Sequence, residues 1–309
     1  MPAPYQPTDP VYPLITTVEL AQLLTGDSPP RVLDVRWSLG APDGRPAFAR
    51  EHIPGAVYVD LETELSGSGA PTDGRHPLPR TADLQAAARR WGLRAGDAVV
   101  VLDDVAGLSA ARAWWLLRWA GVPDVRLLDG GLPGWRRAGL PLIASATDAV
   151  AARPGDVVLT AGQLPTLSAD QAGALATSGV LLDVRAAERY RGEVEPIDQR
   201  AGHIPGAVSA PTSDNLDAEG YLLPAASLHA RFSLLGARPA EPTGVYCGSG
   251  VTAAHTALAL TVAGYTPVLF PGSWSAWSSD PQRPVATGTE AGAADRAEPE
   301  LVTAAGAHR

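Results

Sequence analysis

Short apolar runs alternate with longer amphipathic stretches along this chain, which predicts strands alternating with helices. Thr16 and Thr17 stand before Val18-Glu-Leu-Ala-Gln-Leu-Leu24, whose apolar positions recur at helical spacing behind a hydroxyl cap. Arg31-Val-Leu-Asp-Val-Arg36 reads as a short strand, and Glu51-His-Ile-Pro-Gly-Ala-Val57 as a turn feeding another. A helix over 82–91, a buried strand over 98–102, a helix over 109–120 and a strand over 125–128 follow. Gly130-Gly-Leu-Pro-Gly-Trp135 then turns into a short helix. Most of these strands are apolar without interruption, the pattern of a mostly parallel sheet covered on both faces. The expected fold class is α/β, with ligands at the carboxyl ends of the strands.

The pattern then returns. Leu181-Leu-Asp-Val-Arg185 repeats Val32-Leu-Asp-Val-Arg36, and His203-Ile-Pro-Gly-Ala-Val208 repeats His52 to Val57. Ala263-Gly264 repeats Ala120-Gly121, and Phe270 to Trp277 lies over Leu128 to Trp135. Landmarks in unchanged order predict a duplicated domain of about 130 residues. The expected division is an N-terminal domain over 1–143, a linker over 144–165, a C-terminal domain over 166–284 and a mobile Ala/Gly/Glu-rich tail over 285–309. The first 13 residues are Pro-rich and expected to be extended. Asp34, Arg36, Asp183 and Arg185 recur in both halves, which favours a structural salt bridge over chemistry.

Composition narrows the function classes. No apolar run reaches the length of a membrane span, and no basic region precedes an apolar core at the N-terminus, so a cytoplasmic protein without a signal peptide is expected. The net charge is −9 and every basic residue is Arg, which argues against nucleic-acid binding. The absence of Lys removes Schiff-base, pyridoxal-phosphate and Walker-type chemistry. The single Cys excludes an internal disulfide and a thiolate metal site, and the six His show no close pair at ligand spacing. No metal and no organic cofactor are expected.

That Cys, Cys247, lies in Gly244-Val-Tyr-Cys-Gly-Ser-Gly-Val-Thr-Ala-Ala254, between a strand end and a helix over 251–263. Gly248 and Gly250 let the backbone bend so that successive N–H groups face the sulfur. Those amides and the helix dipole favour a thiolate, making Cys247 a candidate nucleophile rather than a small core residue. Cys247-Gly-Ser-Gly-Val-Thr252 resembles the active-site loop of the rhodanese-superfamily sulfurtransferases, in the 3-mercaptopyruvate version; the thiosulfate version usually carries basic residues after the Cys. The resemblance covers nearly the whole chain and implies two tandem rhodanese-like domains, the first inactive and walling an interdomain cleft. Aligning Ser109-Ala-Ala-Arg112 with Thr252-Ala-Ala-His255 puts Asp104 opposite Cys247, so the first loop has no thiol and a carboxylate that repels an anionic donor.

The resemblance implies a Cys247 persulfide, formed from a small anionic donor and discharged to cyanide or to a thiol, a thioredoxin-like protein among the acceptors. The amides of Gly248, Ser249, Gly250, Val251 and Thr252 are its expected cradle. Ser249 is carried over as a donor contact, against a solvated turn; Thr252 is expected to cap the helix. Arg189 is carried over as the guanidinium that holds the donor's anion. The mercaptopyruvate enzymes usually show a second arginine after a Glu-Pro pair, where this chain has Ile197 after Glu195-Pro196; Arg200 is the candidate substitute. His52 and Asp43 match the family's acid–base groups, although His203 repeats the His52 motif as scaffold. His76 belongs to an insertion of the first half and is expected either to line the cleft or to sit in a plain loop. Trp37, Trp274 and Trp277 are expected to wall the cleft or fill the core.

Three other readings compete. A Cys-based phosphatase or arsenate reductase needs an Arg closing the loop, where Ala253 stands. A cysteine hydrolase would have to use His255. A non-catalytic sulfur carrier or interaction module would not turn over a small donor. Between donors the loop favours 3-mercaptopyruvate, with thiosulfate:cyanide transfer as the alternative.

Overall fold

The computed structural model describes residues 12–144 and 153–291. The first half runs β1 (Leu14–Ile15), α1 (Thr17–Leu24), β2 (Arg31–Asp34), α2 (Arg45–Arg50), β3 (Val57–Tyr58), α3 (Leu61–Glu64), α4 (Thr81–Arg90), β4 (Val99–Leu102), α5 (Ala110–Trp119), β5 (Val125–Leu128) and α6 (Gly131–Arg137). The second runs α7 (Ala169–Ser178), β6 (Val180–Asp183), α8 (Ala187–Arg191), β7 (Val208–Ser209), α9 (Ala225–Leu234), β8 (Pro242–Tyr246), α10 (Thr252–Val262), β9 (Thr266–Leu269) and α11 (Ser273–Ser279). Thr16 caps α1 as expected, in a reciprocal box with Glu19.

Each half is a parallel sheet. The strand order is β1-β5-β4-β2-β3 in the first and β7-β6-β8-β9 in the second. A parallel bridge from Thr166 to Leu269 stands where β1 stands in the first sheet. Apolar strands such as Val99–Leu102 are buried along their whole length, because helices cover both faces. The repeated Asp and Arg at the ends of β2 and β6 form buried bidentate pairs: Arg36 with Asp34, and Arg185 with Asp183. Arg36 and Arg185 also donate to Glu51 and Gly202 carbonyls, so each pair ties a strand end to the following turn.

The main core is continuous across the halves. One cluster joins Val101, Trp114 and Leu117 to Val245, Cys247, Leu258 and Leu260, with α5 packed on α10. Separate outer clusters under Phe48 and Trp135, and under Trp274 and Trp277, complete each half. The described part of the expected linker is docked: Gly155 and Val157 bond to Arg89 and Leu93 carbonyls, and Val157 and Leu159 are buried. The start of the expected tail is paired as well. Ala286 bridges His203, and Gly288 donates to the Arg191 carbonyl. Residues 1–11 and 292–309, the bulk of the expected extended start and tail, lie outside the described residues. Among the described residues, no helix is long and apolar enough to cross a membrane.

Candidate active site

Cys247 is the first residue after β8 and is 2% exposed. Its loop is fastened on one side by α11. Trp274 and Ser275 donate N–H to the carbonyls of Cys247 and Gly248, and the Cys247 N–H donates to Ser273 Oγ. Ser273 holds a left-handed φ of 54°, an uncommon state for a residue with a Cβ, stabilised by its own bond to the Phe270 carbonyl. Gly250 also has positive φ, and a Cβ there would stand 2.4 Å from the Pro271 oxygen, so glycine is required. With the carbonyls held outward, the Gly250 N–H points at Sγ, 3.1 Å away. Of the five amides expected to face the sulfur, it is the one that meets Sγ among the described residues. Thr252 is the first helical residue rather than the cap: Val251 takes the cap position, without a side-chain bond.

The equivalent loop of the first half shows what such amides do with a carboxylate. Leu102 pairs with Asp34 as Tyr246 pairs with Asp183, so Asp103, not Asp104, takes the place of Cys247. The buried Asp103 carboxylate accepts from the N–H groups of Val105, Gly107, Ser109 and Ala110. Asp104 turns instead toward Arg36, at 3.3 Å. The first loop has therefore filled its own nest with an anion.

His76 and Ser249 meet across the interface of the halves. His76 Nδ1 lies 2.7 Å from Ser249 Oγ, and Nε2 lies 3.2 Å from Glu62 Oε1. The Glu62 carboxylate only accepts, so Nε2 carries the proton and Nδ1 accepts from the Ser249 hydroxyl. Trp37 donates to the same Glu62 oxygen at 2.7 Å and stands edge-on to the His76 ring. Burial holds the His76 pKa below the usual imidazole range; Glu62 opposes that shift, while Arg112 and Arg75 add to it.

Three guanidiniums surround the loop. A Cβ on Gly248 would lie 3.1 Å from Arg75 Nη2 and 3.5 Å from Arg189 Nη1. Arg189 donates to Glu195 at 2.7 Å and to Asp198 at 3.3 Å. Arg112 comes from α5 of the first half and is fully buried. It donates to the carbonyls of Leu65, His76, Pro77 and Gly250, with no ion pair among the described residues. Burial pushes its pKa down to about 10, against the pull of an anionic Cys247.

The structure thus brings Cys247, Gly248, Ser249, Gly250, Arg189 and His76 together. It does not bring in His52, Asp43 or Arg200. His52 is a buried scaffold residue whose Nδ1 lies 2.8 Å from the Phe48 carbonyl while its ring stacks on Phe48. His203 makes the same contacts with Tyr190, which is why both halves keep the motif. Asp43 is an exposed partner of Arg45. Arg200 spends its guanidinium on the carbonyls of Trp277, Ser278, Asp280 and Arg283. His255 faces the first half's loop, its Cδ2 3.6 Å from where a Gly107 Cβ would stand. Trp274 and Trp277 are core residues, and Trp37 alone of the three lies at the site. Arg75, Arg112, Glu62 and Asp198 were not legible as site residues. The one signal was Arg75's place beside His76 in the insertion of the first half. Among the described residues, no group of His, Cys, Asp or Glu is placed to hold a metal ion.

A family model described as the rhodanese-like domain matches residues 16–138 and again 168–280. A Mycobacterium tuberculosis protein provisionally named thiosulfate sulfurtransferase SseB is 50% identical over 282 residues, covering 89% of this chain and 97% of that protein. A Pseudomonas aeruginosa protein provisionally named 3-mercaptopyruvate sulfurtransferase is 49% identical over 288 residues, covering 89% of this chain and 98% of that protein. The crystal structure of SseA from Escherichia coli, described as a 3-mercaptopyruvate sulfotransferase of the rhodanese fold, superposes with a TM-score of 0.74 at 31% identity, over 85% of this chain and 99% of that one.

Proposed function

The chain belongs to the rhodanese-domain sulfurtransferases, and from that premise we propose that it moves sulfur from 3-mercaptopyruvate to a thiol or cyanide through a Cys247 persulfide. The relatives' names divide between the two donors, so the choice rests on the site. The observation that carries it is the chain of contacts from Ser249 through His76 to Glu62.

The two donors ask for different proton chemistry. With 3-mercaptopyruvate, the Cys247 thiolate attacks the donor sulfur and the carbon–sulfur bond breaks. Its electron pair goes to the methylene carbon as pyruvate enolate, which must take up a proton. The donor's thiol proton is released, leaving the persulfide anion. With thiosulfate the sulfur–sulfur bond breaks, sulfite leaves with the electron pair, and no proton moves. A neutral His76 accepting from the Ser249 hydroxyl can take up the donor's thiol proton through that hydroxyl and return it to the enolate carbon, a relay that only the first reaction needs. Glu62 and Trp37 keep its tautomer, and burial keeps it neutral.

Nucleophile, amide and guanidinium serve either donor. Gly250 N–H supports negative charge on Sγ, Arg112 adds a cation beneath the loop, and Arg189 receives the donor's anionic group. A thiol or cyanide then attacks the outer persulfide sulfur and regenerates the Cys247 thiolate.

Steady-state transfer to cyanide with both donors tests this. Cys247→Ser should abolish both reactions. His76→Gln should lower kcat/KM for 3-mercaptopyruvate by about 10²–10³-fold while changing the thiosulfate reaction by less than about threefold. Equal loss with both donors would remove the relay, and higher wild-type kcat/KM with thiosulfate would reverse the donor assignment. Because the His76 pKa lies below the usual 6.5, the acid limb of kcat for 3-mercaptopyruvate should fall below that pH, and His76→Gln should remove it.

A further inference from the structure

A layer of charge lies beside the Cys247 loop, and the reaction above uses only its Arg189. Arg75 is delivered by the first half: its backbone N–H donates to Ser275 Oγ at the start of α11. Gly74 before it has positive φ, and a Cβ there would stand 2.5 Å from the Gly272 oxygen. The Arg75 guanidinium meets that of Arg189, from the second half, above Gly248. Between them sits Asp198, which bonds Arg75 Nη1 and accepts from Arg189 Nη2 at 3.3 Å. Its side chain is 6% exposed. Glu195 takes the other edge of Arg189 and also reaches Arg185. Arg75, Arg185 and Arg189 are thus balanced by Asp183, Glu195 and Asp198, so these three arginines leave no surplus charge for an arriving anion.

We propose that Arg75 and Arg189 form one anion site shared by the two halves, and that the Asp198 carboxylate fills it in the resting enzyme until the donor's anionic group displaces it. The proposal rests on the reading of an anionic donor at Cys247. Three observations support it. Cys247 is nearly inaccessible as it stands, so part of the wall around it must move before a donor sulfur reaches Sγ, and the two guanidiniums stand against the adjacent Gly248. Arg75 Nε is buried with no hydrogen-bond partner, so this guanidinium has donor capacity that Asp198 leaves unused. Asp198 itself is held against opposing forces: burial raises its carboxyl pKa, Arg75 and Arg189 lower it, and Glu195 raises it again. A free carboxylate replaces such a group like for like. A dianion such as thiosulfate adds a second charge beside the displaced Asp198 and Glu195, so Asp198 also selects for the monocarboxylate donor.

The sign of one substitution tests the proposal. An internal competitor weakens apparent affinity by the fraction of time it occupies the site. Binding of pyruvate and of thiosulfate to Cys247→Ser protein is measured by calorimetry, so no sulfur transfer is needed for the readout. Adding Asp198→Asn should tighten pyruvate binding by about tenfold and thiosulfate binding by more, whereas Arg75→Gln should weaken both by about tenfold. In the Arg75→Gln/Asp198→Asn double variant most of the gain should disappear. In otherwise wild-type enzyme Asp198→Asn should lower KM for the donor. If Asp198 only braces the arginines, its removal weakens binding, and weaker or unchanged binding overturns the proposal. Asp198→Ser must give the same sign should the Asn variant fail to fold. Absent turnover with normal pyruvate binding would count against the reaction and not against the clamp.

Discussion

Arg112 is a buried guanidinium that bonds to carbonyls instead of a carboxylate, beneath the loop that carries Cys247. Replacing it with Met would strand several buried carbonyls and should cost about 3 kcal/mol of unfolding free energy, read by urea denaturation. The same variant should slow alkylation of Cys247 by iodoacetamide at pH 7 by about tenfold. Arg112→Lys should recover more of the alkylation rate than of the stability, since it keeps the charge and loses the fork. Alkylation at the wild-type rate in the Met variant would leave Arg112 a purely structural residue. The proposed nucleophile was legible because glycines one and three places after a lone Cys, itself behind an apolar strand, leave few other readings. Arg112 was not: in the repeat it is simply the counterpart of His255, and equivalence between copies says nothing of contact between them. His52 misled for the opposite reason, since its motif serves the turn and not the chemistry.

That counterpart relation becomes physical in the pairing of α5 with α10. Arg112 reaches from α5 into the second loop, and His255 reaches from α10 toward the first. α10 is buried nearly all round, because its own sheet covers one side and α5 the other. His255 is therefore neutral, with an unpartnered Nδ1 and a pKa pushed down by burial to about 4. The unfolded chain binds its proton near pH 6.5 and the folded one only near 4, so stability is whole above 6.5 and is lost as pH falls between them. The loss is about 3 kcal/mol at most, and His255→Leu should flatten it in urea titrations at pH 7, 5.5 and 4.5. Long periodic elements such as α4 and α5, and apolar strands such as β4, were plain in the sequence. The four-residue α3, which carries Glu62, is too short to show a period, and so a member of the proposed relay went unseen.

The whole molecule is two copies of one sheet around a shared core, and duplication was the feature most legible in the sequence. Its consequence for assembly was not, because a repeat defines two units without saying that α5 and α10 bury one another. Residues 166–309 expressed alone should be insoluble or inactive, with sulfur transfer restored by co-expression with 1–165; an active isolated second half would show that Arg75, His76 and Arg112 are dispensable. The nest filled by Asp103 has a consequence for heat resistance. One copy of the loop holds its own carboxylate for good, whereas on the proposed mechanism the copy around Cys247 exchanges a thiolate for a longer persulfide anion with every turnover. The outer sulfur stays attached when the chain unfolds, but only the folded loop offers its charge fixed amides, so the sulfur-loaded enzyme should melt above the reduced one. The melting temperature would then serve as a gauge of how much sulfur the protein is carrying.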